Sequence, residues 1–221
     1  MPYGEKTKEQ LLEYSSKAFE FFETQGVKAV IMACNTTSAM VYEDLKDKYN
    51  FKLYPLIQSV SKILSQMPVS KIGVFATPAT ISSHAYSTNI KKYNTNIEIT
   101  EIACPEWVKI VENNLIQTPE AADSVKIKVD EMLKYNVEKI VLGCTHYPYL
   151  INLLSKFSNK NLYINPAKDF VQYIKSDLLS NGLTNCNNTK GYDKFFVSGS
   201  PEKFISAAKM FYNVIECDVL K

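Results

Sequence analysis

The sequence predicts an α/β fold of two pseudo-symmetric, doubly wound lobes with mostly parallel sheets. Helical and strand patterns alternate along nearly the whole chain, the order that builds parallel sheets covered by helices. In addition, two segments copy one another 110 positions apart: Gly26-Val27-Lys28-Ala29-Val30-Ile31-Met32-Ala33-Cys34-Asn35-Thr36 and Asn136-Val137-Glu138-Lys139-Ile140-Val141-Leu142-Gly143-Cys144-Thr145-His146. Each copy delivers a cysteine at the end of an apolar run.

The elements follow in order. Met1-Pro2-Tyr3-Gly4 runs almost at once into a helix over Thr7–Gln25, with Leu11, Leu12, Tyr14, Ala18, Phe19 and Phe22 as its inner stripe. Gly26 and Asn136 are residue types that readily take the left-handed conformation closing a helix. The runs Val30–Ala33 and Ile140–Gly143 are too apolar for half-exposed strands and too short for helices so bounded. They are expected as interior parallel strands covered on both faces. Strands are predicted at Ala29–Ala33, Lys71–Ala76, Ile97–Ile102, Lys139–Gly143, Leu162–Ile164 and Lys194–Val197. Helices are predicted at Thr37–Lys48, Ile57–Gln66, Pro78–Tyr93, Pro105–Asn113, Pro119–Tyr135, Tyr149–Phe157, Ala167–Ser180 and Pro201–Tyr212. The polar stretch Asn181–Lys190 reads as a surface loop. No strand precedes the first cysteine strand, so the chain looks as though it starts inside a unit.

Both cysteines therefore sit at the carboxyl end of a strand beside a helix start, the place where open α/β sheets hold ligands. Free backbone N–H groups there suit a carboxylate.

Composition narrows the chemistry. With 221 residues, 46% of them hydrophobic, the chain buries a substantial core as one domain or two small ones. A net charge of +2 excludes a nucleic-acid reader built on a basic surface. Every one of the 25 basic residues is lysine, so bidentate arginine clamps on an acid are excluded. No apolar run reaches membrane-spanning length and no signal-peptide pattern opens the chain, so a cytoplasmic protein with five free thiols is expected. Two histidines and cysteines without paired spacing give no zinc site. Gly73 is a strand glycine and not part of a dinucleotide loop. Cys186 and Cys217 read as small core hydrophobes, Cys104 before Pro105 as structural, His84 as a helix-face residue, and Trp107 as core.

Two thiols facing one another across a small pocket suit proton transfer at one carbon from opposite faces. A thiolate removes the proton and a thiol on the far side delivers another, giving the mirror image. Unperturbed thiols titrate near ~8.5, so a neighbouring base such as His146 provides a usable thiolate fraction. The α-hydrogen of an amino acid is a far weaker acid, so preorganised donors must stabilise the carbanion-like transition state. Asn35, Thr36, Thr37 and Thr145 supply them.

The motifs then become recognisable. Pro-Tyr-Gly at 2–4, Ala-Cys-Asn-Thr at 33–36, Gly-Val-Phe-Ala-Thr at 73–77, Ala-Cys-Pro at 103–105 followed by Glu112, and Gly-Cys-Thr-His-Tyr-Pro at 143–148 strongly resemble the glutamate racemase family of the aspartate/glutamate racemase superfamily. The resemblance covers essentially the whole chain, and the Cys-Asn-Thr and Cys-Thr-His pair is its most specific part. It implies a cofactor-independent two-base enzyme interconverting L- and D-glutamate for peptidoglycan. Cys34 serves the D-enantiomer and Cys144 the L-enantiomer, with His146 and Glu112 supporting the second thiol. Tyr3, Gly4, Asn35, Thr36, Thr77, Thr145 and His146 are the implied substrate contacts. The implied lobes are 1–58 with 165–221, and 59–164; a homodimer is the candidate assembly.

The family also carries an upstream strand and an Asp-Ser turn, roughly forty residues before Pro-Tyr-Gly, that these 221 residues lack. The aspartate of that turn partners the first cysteine, so this chain is expected to be poorly active and poorly soluble. Two other readings stand beside the leading one: a racemase for aspartate or another small acid, and a catalytically inactive remnant with a binding or regulatory role. The first is disfavoured because aspartate relatives commonly place a glutamate where His146 stands.

Overall fold

A computed structural model describes residues 3–185, 191–209 and 211–220, so the reading of Cys186 falls outside the described residues. The chain separates into two compact units, Met1–Leu183 and Thr184–Lys221.

The larger unit opens with a 3-10 turn at Tyr3–Glu5 and then α1 (Lys8–Thr24). Thr7 starts that helix through a reciprocal box: its hydroxyl accepts the Gln10 N–H, and the Gln10 side chain accepts the Thr7 N–H. Next come β1 (Ala29–Met32), α2 (Asn35–Met40), α3 (Tyr42–Leu45), β2 (Lys52–Pro55) and α4 (Leu56–Ser65). A second run adds β3 (Lys71–Ala76), α5 (Pro78–Ser82), α6 (Ala85–Lys91), β4 (Glu98–Ala103), α7 (Trp107–Glu112) and α8 (Pro119–Leu133). It ends with β5 (Lys139–Gly143), a 3-10 turn at Tyr147–Leu150, α9 (Ile151–Leu154), β6 (Tyr163–Ile164) and α10 (Ala167–Ser180).

All strand pairs are parallel. β1 pairs with β2, and a separate sheet runs β4-β3-β5-β6. After β3 the chain crosses to β4 on one side; after β5 it crosses to β6 on the other. The crevice between the carboxyl ends of β3 and β5 is therefore a topological switch point, where ligands enter such sheets. The register Ala76↔Gly143 sets Thr77 and Cys144 side by side at that crevice.

Both faces of the four-stranded sheet are covered. Ile72, Val74 and Val141 pack with Val60 and Leu64 of α4, Tyr86 and Ile90 of α6 and Phe170 of α10. Phe75, Ile140 and Leu142 pack on the opposite face with Trp107, Val125, Met132 and Leu150. Gly73 admits α8 to that face, because a Cβ there would lie 2.5 Å from the Met132 sulfur. Beneath Cys144, Trp107 meets Phe75 and Tyr147 edge to face, each at 5.0 Å between centroids. Such pairs add about 0.5–1.5 kcal/mol each beyond area burial. A third core joins Leu11 and Phe19 of α1 to Val30 and Met32 of β1 and to Phe51.

The structure corrects several expectations. β1 is covered on one face only: Ile31 is 51% exposed, because β2 is the sole partner of β1 among the described residues and α1 covers the Val30 and Met32 side. β2 was unanticipated, since Lys52-Leu53-Tyr54-Pro55 carries no apolar run. The helix expected over 37–48 starts at Asn35 and breaks at Val41 (φ −129°) into α2 and α3. The helix expected over 78–93 divides at His84, which sits in the left-handed region (φ 52°) and not on a helix face. The Glu101 carboxylate holds that break, lying 2.8 Å from His84 Nδ1 and accepting the Ser87 N–H at 3.2 Å. On α1, Tyr14 is 37% exposed and Ser15 takes its place inside.

In the smaller unit, β7 (Phe196–Val197) and β8 (Asp218–Val219) pair in parallel across α11 (Pro201–Ala208), whose first turn the Ser200 hydroxyl caps. Cys217 is part-exposed beside β8, not a core residue. Among the described residues no helix is long and apolar enough to cross a membrane.

Candidate active site

β1 ends at Met32, and Cys34 stands as the N-cap of α2, in extended conformation (φ −72°, ψ 122°). The first turn of α2 is Asn35-Thr36-Thr37-Ser38, all buried. Polar residues are held inside because each finds a partner: Thr37 donates to the Cys34 carbonyl at 3.1 Å, and Ser38 donates to Gln58 at 2.7 Å while accepting the Ile57 N–H at 3.0 Å. The Cys34 sulfur makes no hydrogen bond to the described residues.

β5 ends at Gly143, and Cys144 follows, buried above Trp107. Burial pushes the Cys144 thiol up to about 12, while the backbone N–H groups of His146 and Tyr147 pull the other way. The Cys34 and Glu112 charges add to the rise. A relay leads out from this thiol. Cys144 Sγ lies 3.6 Å from His146 Nδ1, and His146 Nε2 lies 3.2 Å from a Glu112 oxygen at the end of α7. Glu112 and His146 are 34 positions apart and meet only because α7 and the Tyr147–Leu150 turn pack together.

The remaining predicted residues gather at the switch point. Gly4 is buried against Thr77; a Cβ on it would lie 2.5 Å from Thr77 Cβ, so only glycine fits. Tyr3 beside it is half-exposed, its ring 6.3 Å from that of Tyr14, and its phenol is raised by burial, then by Cys34 and Tyr14. Thr36 and Thr77 hydroxyls meet at 2.9 Å. Thr80 closes a ring, 3.0 Å from Thr77 and donating to Thr36 at 3.3 Å. Thr80 was missed, since a buried hydroxyl one helical turn past a cap has no signature in sequence.

A cavity of about 340 Å³ opens beside Cys144 and Thr145, with Asn35 on its wall and Leu56, Tyr149 and Asn165 completing it. Asn165 and Tyr149 were not anticipated as wall residues. Cys34, Tyr3, Gly4, Thr36, Thr77, His146 and Glu112 stand outside that wall, although Asn35 follows Cys34 directly and the Cys34 charge reaches Cys144. Among the described residues no cluster of His, Cys, Asp or Glu is placed to hold a metal ion.

Residues 4–168, which include both cysteine loops, match the model of the Asp/Glu/Hydantoin racemase family. The chain belongs to this racemase family. Within it, the chain is 33% identical to a glutamate racemase from Thermoanaerobacter sp. over 228 residues, spanning 100% of this chain and 85% of that protein. The crystal structure of glutamate racemase from Francisella tularensis subsp. tularensis in complex with D-glutamate superposes with a TM-score of 0.92 at 28% identity, covering 100% of this chain and 84% of that one. A glutamate racemase isoform from Bacillus anthracis gives 0.89 at 26% identity, covering 99% and 82%. The α/β architecture with parallel sheets is thus the family's.

Proposed function

We propose that this chain is a glutamate racemase that interconverts L- and D-glutamate without a cofactor, using Cys34 and Cys144 as opposed proton-transfer groups. The observation that carries the reading is the Cys144–His146–Glu112 relay at the edge of the cavity. Membership of the racemase family and similarity to relatives named as glutamate racemases support the choice of substrate.

In the L-to-D direction Cys144 acts as the base. A thiol raised to about 12 is protonated at neutral pH, so its proton must leave before it can accept another. His146 takes that proton, Glu112 offsets the imidazolium charge, and the His146 and Tyr147 N–H groups stabilise the thiolate. The thiolate removes the Cα proton of L-glutamate. Cys34 delivers its own proton to the opposite face, which yields D-glutamate and a Cys34 thiolate. The D-to-L direction runs through the same groups in reverse. Amide and hydroxyl donors from the strand-end loops hold the carboxylates and stabilise the carbanion-like transition state. D-glutamate made this way feeds peptidoglycan synthesis, with the cytoplasm as the proposed compartment.

The test is racemisation of L-glutamate in deuterated water, followed by mass analysis of both enantiomers at low conversion. One solvent deuterium at Cα of each D-glutamate, with unlabelled remaining L-glutamate, is the expected result. D-glutamate that retains the substrate hydrogen overturns the two-base assignment, and racemisation of aspartate or another small acid without any of glutamate overturns the substrate.

A further inference from the structure

We propose that Tyr86 is a positioning residue: its hydroxyl fixes the side-chain amide of Asn35 with both N–H groups turned into the cleft, where they receive a substrate carboxylate. The proposal rests on the racemase reading and names a residue that neither composition nor motif singles out.

Tyr86 stands on α6, fully buried, and its phenol donates to Asn35 Oδ1 at 2.7 Å. Asn35 is itself only 3% exposed, yet its Nδ2 makes no hydrogen bond to the described residues, and the side chain lines the cavity. The amide oxygen is satisfied and the nitrogen is left open to the cavity, so its N–H groups are donors that only water or a ligand can meet. The arrangement is resolved if the missing acceptor is the ligand.

The phenol is suited to this task. Burial, and then the neighbouring Cys144, push its ionisation far above the ordinary tyrosine range, so it remains an O–H donor wherever the protein is folded. A permanent donor at this point fixes which end of the amide it meets. Were the amide turned over, its oxygen would face the cavity and repel a carboxylate, and the phenol hydrogen would lose its acceptor. Among the described residues no lysine lines the cavity, so correctly turned amides carry the recognition there. Asn165 repeats the device: its oxygen accepts the Ala167 N–H at 3.1 Å, which leaves its nitrogen as the donor on the same wall.

Room for the Tyr86 ring comes from the other cysteine loop. A Cβ on Gly143 would lie 3.0 Å from Tyr86 Cε2 and 3.0 Å from the Phe75 carbonyl oxygen. The residue before Cys144 thus makes space for the ring that orients the residue after Cys34.

Tyr86→Phe removes only the hydroxyl. The expected result is a KM for glutamate raised about fivefold to tenfold in both directions, with kcat changed less than about twofold. In an Asn35→Ala background the same substitution should leave KM unchanged, because the group it positions is gone. An unchanged KM in the single variant overturns the proposal, as does an equal effect in both backgrounds, which marks a purely structural role. A measurement independent of turnover separates this from the racemase reading. In the wild-type chain, D-glutamate should shift the nitrogen-15 resonance of the Asn35 side-chain amide, and in Tyr86→Phe the shift should need about fivefold to tenfold more D-glutamate. If that shift occurs in a chain that does not racemise glutamate, the reading fails and the positioning stands; no shift in the wild type overturns the positioning itself.

Discussion

Cys34 and Cys144 end matching strands and precede matching polar turns, yet their surroundings differ. Cys144 is buried above Trp107 at the cavity wall, raised to about 12, and connected to His146 and Glu112. Cys34 is part-exposed at the start of α2, after a strand with an exposed Ile31 and, among the described residues, a single partner strand, and its sulfur is without a hydrogen bond to the described residues. The fold repeats the placement of a thiol and does not repeat the means of ionising it. In the proposed mechanism the two thiols exchange protonation states at each turnover, with an imidazole beside only Cys144 among the described residues.

The largest effect expected is loss of racemisation in Cys34→Ala and in Cys144→Ala, on the order of 10⁴-fold or more. The comparison sharpens if exchange is followed as well. In deuterated water Cys144→Ala should label D-glutamate alone, through Cys34, and Cys34→Ala should label L-glutamate alone; the opposite pattern reverses the two roles.

His146→Gln comes next, with kcat/KM lowered about 10²–10⁴-fold. The loss must be equal in both directions, because the equilibrium constant between enantiomers is one. The asymmetry shows in isotope effects: deuterium at Cα of L-glutamate should slow the variant more than the wild type, as proton removal by Cys144 becomes limiting. A larger effect with labelled D-glutamate would assign His146 to Cys34.

The last effect is one of reactivity, read as a change per pH unit. Iodoacetamide attacks thiolates, and a raised thiol holds fewer of them as pH falls. Labelling of Cys144, mapped by mass spectrometry, should rise about tenfold per pH unit from neutrality towards about 12. A plateau near pH 8 would show that burial does not govern this thiol.

Much of this was legible in sequence, for physical reasons. The cysteine strands and β3 carry continuous apolar runs, β4 interleaves isoleucines with polar residues, and local pattern decides such elements. Cys144 and His146 are close because they are two residues apart. What escaped depends on contacts between distant segments. β2 is read as a strand only once Lys28 and Val30 lie beside it, and the break at His84 is stabilised by Glu101 from another strand. Coverage of β1 on both faces could not be judged from apolarity, because burial of Ile31 depends on what packs against it and not on Ile31. Thr80 and Tyr86 carry no local mark at all, since their roles exist only after β1, β3 and β5 are brought together.

The ring of Thr36, Thr77 and Thr80 has a consequence for how such a site evolves. Each hydroxyl belongs to two of the three bonds. Replacing any one by valine therefore opens two bonds, a second replacement opens the last, and a third opens none. The path away from the ring is steepest at its first step, shallower at the second and level at the third, and the path back is the reverse, with no bond regained until the second hydroxyl returns. Three positions contributed by two loops thus behave as one inherited character, kept together or lost together.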